Sequence, residues 1–223
     1  MHIRFAFILA VVLCFWLTAG VAAANTATQK VQDKYKEITA MRADFTQILV
    51  HKESGSRETR NGVIHFKKPL LVRWETKKPS PELLLVTGDA IWDVFPDEEI
   101  AYKYTLDLAK DSRSIVSVVT GQASLDNDFF VEDKGMDQGM TSLHLYPKEP
   151  TQAMVEARLW IDPKTDLIKK IRVYDFYGNE NEMTFTRQDV NPKIQNSLFT
   201  YTPPKGFEIE DRTKNAAGAP RNF

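Results

Sequence analysis

What most limits the fold of this chain is a change of hydrophobic period near residue 43, after which strand-like segments follow one another with almost no helix between them. Phe45, Gln47 and Leu49 alternate with Thr46 and Ile48, and Glu53-Ser54-Gly55-Ser56 reads as a turn. Val63 to Phe66, Leu70 to Thr76, Leu83 to Val86, Ile91 to Phe95 and Ile100 to Tyr104 continue as short strands. Pro69, Pro79, Pro81, Gly88 and Pro96-Asp97 punctuate them. Later, Val155, Ala157, Leu159 and Ile161 share one face and Glu156, Arg158 and Trp160 the other. Asp162-Pro163-Lys164 turns the chain into Leu167 to Phe176, and Gly178-Asn179 turns it again toward Met183 and Phe185. Consecutive strands without crossover helices pair antiparallel, and a sheet this long must curl, split or close. The predicted class is therefore α+β, mainly antiparallel β. The predicted shape is a curled sheet with helices over its concave face.

Two segments supply those helices. From Thr28 to about Arg42, Val31, Tyr35, Ile38 and Met41 step by four, three and three along one face, with Thr28 or Asn25 as the cap. From Leu106 to Gly121, Asp111 or Ser112 can cap a short helix carrying Ile115, Val116, Val118 and Val119, ended by Gly121. Four β-branched residues are weak helix formers, so a strand competes there.

Residues 1–24 stand apart from the fold. His2 and Arg4 open a basic start, Phe5 to Leu17 is unbroken and apolar, and Ala22-Ala23-Ala24 offers a small-residue cleavage site. That is the order of a secretory signal, too short to span a bilayer as a helix, and it predicts export to the periplasm with cleavage after Ala24. Cys14, the only cysteine, lies inside the run with Leu13 before it. A lipid-modified cysteine needs a small residue there, and loss of the leader removes the thiol altogether. One domain is expected over residues 25–212, and a polar, disordered tail over 213–223. The mature chain has 28 basic and 30 acidic side chains once Arg4 is gone, in no basic block, which argues against a nucleic-acid partner.

Little in the sequence points to catalysis. His51, His65 and His144 lack a second ligand at zinc spacing, and no nucleophile-elbow, phosphate-loop or dinucleotide motif occurs. Asp93, Asp97, Glu98 and Glu99 surround a turn without the glycine and ligand spacing of a calcium loop. No catalytic residue, metal ligand or cofactor is therefore assigned. Bulky groups in GVIHFKKPLLVRWE (62–75) and ELLLVTGDAIWDVF (82–95) exceed what a one-sided sheet requires. They suit either a filled core or the lining of a cavity.

The same segments resemble the outer-membrane lipoprotein carrier family. The likeness runs in order through ADFTQ (43–47), GVIHFKKPLLVRWE (62–75), KKPSPELLLVTGDAIWDVFPDEE (77–99), LWIDPKTDLIKKIRVYDFYGN (159–179) and FTYTPPKGFEI (199–209). It implies an incomplete, half-open β-barrel with helices as a lid over the concave face, and a periplasmic carrier, without enzymatic activity, that shields the acyl chains of lipoproteins. Such a carrier would receive them from an inner-membrane releasing transporter and pass them to an outer-membrane receptor or the outer membrane itself, acting as a monomer. The cavity it implies is lined by Tyr35, Ile38, Met41, Phe66, Val72, Trp74, Leu84, Ile115, Val116, Val118 and Val119. Lys68 stands where the family has a lid-closing arginine, so lid closure is expected from Lys68, or from Arg73 in its stead. Val72 replaces the aromatic residue the family carries two places before Trp74. A periplasmic lipid-binding regulator of the same fold and a secreted hydrolase using His65 or His144 are the alternatives. The first is disfavoured because such regulators carry an additional domain.

Overall fold

The computed structural model describes residues 26–106 and 114–213. Twelve strands form one sheet: β1 (Ala40–Val50), β2 (Arg57–Lys67), β3 (Leu71–Lys78), β4 (Glu82–Val86), β5 (Ile91–Phe95), β6 (Ile100–Tyr104), β7 (Phe129–Asp137), β8 (Met140–Pro147), β9 (Glu156–Ile161), β10 (Ile168–Tyr174), β11 (Glu180–Val190) and β12 (Glu208–Asp211). Their spatial order is β12-β6-β5-β4-β3-β2-β1-β11-β10-β9-β8-β7. Every pairing is antiparallel except β12 with β6. Helices α1 (Ala27–Glu37), α2 (Ile115–Val119) and α3 (Leu125–Asp128) complete the fold.

The sheet bends around α1. Eleven helical residues measure about 16 Å, yet α1 is bonded at its end by Lys68, in the β2–β3 turn, and touches β7 and β8 at the far edge. In a flat sheet β2 and β7 lie six strand spacings apart, about 29 Å. Bulges at Asp44/Phe45, Asn61/Gly62, Asp133/Met136 and Ile168/Lys170 add the local twist that such bending needs. The concave face is apolar, and it gathers side chains from every strand but β12 into one contiguous cluster with the helices.

Three features differ from the sequence reading. The first helix ends at Glu37, so Ile38 is an extended cap residue and Met41 lies in β1. Asn191 explains the stop: its Oδ1 accepts from the backbone N–H groups of Thr39 and Ala40, groups that a continuing helix would point at its own carbonyls. The cap is Thr26, which accepts from the N–H of Gln29; Thr28 is buried within the helix and Asn25 lies outside the described residues. In the second helix the cap is Ser114, whereas Asp111 and Ser112 lie outside the described residues. All five residues of α2 are buried, and that burial overrides their weak helix propensity.

The third difference is three strands, β7, β8 and β12, that the sequence reading did not delimit. The β7–β8 hairpin turns on Gln138 and Gly139, both at positive φ, the geometry of a tight two-residue hairpin turn. β7 is an edge strand exposed over most of its length and shows no alternation to read. β12 follows a strap that crosses the convex face. Lys67 Nζ donates to Ile194 O and Asn196 Oδ1, Arg73 donates to Leu198 O, and the Tyr201 ring lies 5.2 Å from that of Trp92. Having crossed β2, β3 and β5 from outside, the chain reaches β6 running parallel to it. The predicted leader and the tail beyond Thr213 lie outside the described residues.

Candidate functional site

The structure brings all eleven predicted lining residues into the one apolar cluster beneath α1 and α2. Each is at most 4% exposed, and Ile38, Trp74 and Leu84 are at 0%. In this state they pack on one another. Across the sheet the pairing places Phe66 opposite Val72 and Val72 opposite Val86, and, one row deeper, Ile64 opposite Trp74 and Trp74 opposite Leu84. Phe45, which the sequence reading did not assign to the site, meets Trp74 edge to face at 5.4 Å. Its place in the alternation of β1 was the signal for it.

Helix α2 lies along this interior. Ile115 lines a pocket of about 300 Å³ at one end, together with Leu49, Met154 and Asn181. At the other end Gln122, just past the helix, donates from Nε2 to Pro69 O in the β2–β3 turn. The same turn latches α1, because Lys68 Nζ donates to Tyr35 O at 2.6 Å and to Lys36 O at 3.0 Å. A cation there meets carbonyls that have no partner within the helix. Partial burial depresses the Lys68 pKa below that of a free lysine. Arg73 has no part in the latch; it points to the convex face, where it pairs with Glu75 and holds Leu198 O.

Tyr35 joins the parts. Its hydroxyl accepts from the N–H of Ile168 in β10 at 3.3 Å, and burial pushes its phenol pKa upward. Its ring rests on Gly121, where a Cβ would lie 2.6 Å from the tyrosine Cβ. Gly121 also has φ +70°, so only glycine both ends α2 without strain and admits the ring.

His51 borders the pocket beside Ile115, its Nδ1 3.0 Å from Ser54 Oγ on an exposed turn, and the other two histidines lie elsewhere. His65 is on the convex face between Arg42 and Arg73, bordering a pocket under the strap, and its Nδ1 is buried without a partner. His144 sits 4.0 Å from Glu156. Among the described residues neither ring bonds a hydroxyl, so neither has the activated nucleophile of a hydrolase beside it. No cluster of three metal-ligating side chains occurs among those residues, and Asp97 and Glu98 form part of a short 3₁₀ turn. Desolvation, with neighbouring arginines, holds both His65 and His144 below the usual histidine pKa. The unfolded chain then binds more protons than the folded one between the depressed values and 6.5, so stability is lost as pH falls through that window. The urea midpoint is expected to be lower at pH 5.5 than at pH 7.5, and a His65→Gln/His144→Gln variant should flatten the difference while still taking up an acyl probe. An unchanged slope removes these residues as its cause, and loss of uptake in the folded variant revives the hydrolase.

Residues 36–202 match the sequence model of the family described as outer membrane lipoprotein carrier protein LolA. The chain belongs to this family. A relative from Dechloromonas aromatica, named outer-membrane lipoprotein carrier protein, is 25% identical over 196 residues, covering 88% of this chain and 92% of the relative. Another of that name, from Cupriavidus taiwanensis, is 27% identical over 186 residues, covering 82% and 87%. Among solved structures, an uncharacterized conserved protein from Thermus thermophilus superposes with TM-score 0.55 at 13% identity, over 84% of this chain and all of that one. That likeness speaks for the fold. The family supports a lipoprotein-binding carrier role, and it agrees with a protein that binds and does not catalyse.

Proposed function

We propose that this protein is a periplasmic carrier that takes the acyl chains of lipoproteins released from the inner membrane into its apolar interior and delivers them to the outer membrane. The observation that carries the reading is the coupling of a continuous apolar concave face to two short helices latched through one turn, at Lys68 and Pro69. Transfer of a methylene out of water is worth ~0.8 kcal/mol, so one long chain represents on the order of 10 kcal/mol of exposure in an aqueous compartment. A carrier must offset most of that and still release its load. Helices that open at a cost of a few kcal/mol meet both demands, because the interior is filled by α2 when empty and by hydrocarbon when loaded. The chain works as a monomer, takes lipoproteins from a releasing transporter in the inner membrane, and needs no cofactor; the donor supplies the energy of loading. The eleven predicted lining residues within the cluster act as the acyl site and Lys68 as its latch.

The test is native mass spectrometry of the protein purified from the periplasm of an export-competent bacterium. Complexes with triacylated lipoproteins are expected, dissociating when excess detergent competes for the chains. Bare protein, together with failure to release lipoproteins from inner-membrane preparations that contain an active transporter, overturns the proposal.

A further inference from the structure

Among the described residues, six large hydrophobic side chains stand well out into water: Phe130, Met136, Phe176, Tyr177, Val190 and Ile209. Two of them, Phe176 and Tyr177, are neighbours in the β10–β11 turn, 69% and 67% exposed, with their rings edge to face at 5.5 Å. The turn beneath them is locked. Every backbone N–H from Asp175 to Asn179 is bonded: Asp175 donates to Asn179 O, Phe176 to Gln152 O, Gly178 to Asp175 O, and Tyr177 and Asn179 to the Asp175 carboxylate. The Asn179 side chain donates to Asp175 Oδ2 and accepts from the N–H of Lys52 in the adjacent β1–β2 turn. A slack loop could fold its rings away; this backbone holds them in water, where their apolar surface is unfavourable. Asp175 and Asn179 also line the pocket of about 300 Å³ at the Ile115 end of α2, so the aromatic pair stands on the rim of that opening. None of the other four exposed hydrophobic residues lines it.

We infer that Phe176 and Tyr177 dip into the interfacial layer of a lipid bilayer and seat the pocket mouth on the membrane that receives the load. The inference rests on the carrier reading for the nature of the load and deepens it by naming how the acceptor surface is met. Size selects a bilayer over a protein partner. Two aromatic side chains supply together about 300–500 Å² at most. A stable protein interface takes about 800 Å² from each partner, and what surrounds this pair is polar: Lys52, Glu53, Ser54, Asp175 and Asn179. Chemistry agrees. Two rings and one hydroxyl on a polar collar match the gradient from hydrocarbon to head group, the depth at which tyrosine concentrates in membrane proteins. The exposed neighbours Lys52 and Glu53 carry opposite charges, and the Asp175 carboxylate is turned onto the N–H groups of its own turn. Docking therefore draws on apolar contact and changes little with salt. Two rings give a weak, reversible hold, which lets the carrier leave once it has unloaded.

The test loads the full mature protein with a fluorescent diacylglycerol and follows its transfer to phosphatidylethanolamine–phosphatidylglycerol vesicles as their concentration rises. Transfer through contact makes the rate climb with vesicle concentration, whereas escape through water leaves it constant. The wild-type rate is expected to climb, at low and high salt alike. Phe176→Ser/Tyr177→Ser should lower the slope about tenfold or more, and Phe176→Trp/Tyr177→Trp should preserve it. Phe130→Ser/Met136→Ser, which removes apolar surface away from the mouth, should leave the slope unchanged. Both rings already face water, so the Phe176→Ser/Tyr177→Ser variant should match the wild type in urea midpoint and in uptake of the probe. A wild-type rate that ignores vesicle concentration, or equal slopes for the wild type and that variant, overturns the inference and leaves the carrier standing. A wild type that takes up no probe overturns the carrier itself. The lipid contact is then read from sedimentation of the empty protein with the vesicles, which Phe176→Ser/Tyr177→Ser should abolish, and equal sedimentation of the two overturns it.

Discussion

Val72→Glu is expected to lower the stability of the whole fold steeply at neutral pH, whereas Val118→Glu keeps the sheet and unseats α2. Both side chains are buried, at 1% and 2% exposure, in the same cluster. The difference is the backbone that carries them. Val72 is in β3, hydrogen-bonded on both sides and paired with Phe66 and Val86, so its carboxylate cannot reach water unless the centre of the sheet comes apart. An unpaired charge there costs about 4 kcal/mol or more, against a total stability of about 5–15 kcal/mol. Val118 lies on a five-residue helix that belongs to no ladder, so that helix can swing outward with the charge. Far-ultraviolet circular dichroism with urea titration should show a collapsed midpoint for Val72→Glu. For Val118→Glu it should show nearly native strand content, with strong binding of an apolar dye. Acyl uptake should fall in Val118→Glu by about tenfold or more, since the displaced helix leaves its charge at the entrance. Equal midpoints for the two variants would contradict the division into rigid wall and movable cover.

The second large effect is expected at Lys68, and it is kinetic. Lys68→Met removes both hydrogen bonds to the end of α1 and leaves two helix carbonyls without a donor. A charged donor of this kind contributes about 1–2 kcal/mol where it is partly screened by solvent. Opening should then be about tenfold more frequent. Amide hydrogen exchange in α1 reads the opening directly, and release of a bound acyl probe to acceptor vesicles should accelerate with it. Lys68→Arg should go the other way. The planar guanidinium can engage both carbonyls at once with less loss of side-chain freedom, so exchange and release slow. Unchanged exchange in Lys68→Met would show that the latch lies elsewhere.

The strands from β1 to β6 and β9 to β11 were legible because alternation and proline-bounded turns report a sheet with one apolar face. So was the burial of the eleven predicted lining residues in the interior cluster, although two of them sit on other elements than the periodicity suggested. Val31, Tyr35, Ile38 and Met41 keep a helical spacing, but the helix ends at a side chain 152 positions later, Asn191, which no local pattern reveals. β7 escaped notice because an edge strand facing water on both sides needs no alternation. β12 escaped because its partner is chosen by the path of the strap, a tertiary fact. The bonds from Lys68 to the end of α1, which the proposal reads as a latch, were sought there because of the resemblance and not because of any spacing.

The two edges of the sheet, β12 and β7, are not hydrogen-bonded to each other. A seamless cylinder has a circumference set by its strand number and stagger, and widening it means breaking a ladder. A gutter has no such constraint. Here the walls can spread by small changes of twist at the bulges, with every inter-strand bond intact. In the proposed carrier role the bore can thus adjust to one, two or three hydrocarbon tails, which suits a vessel whose passengers share an anchor but little else.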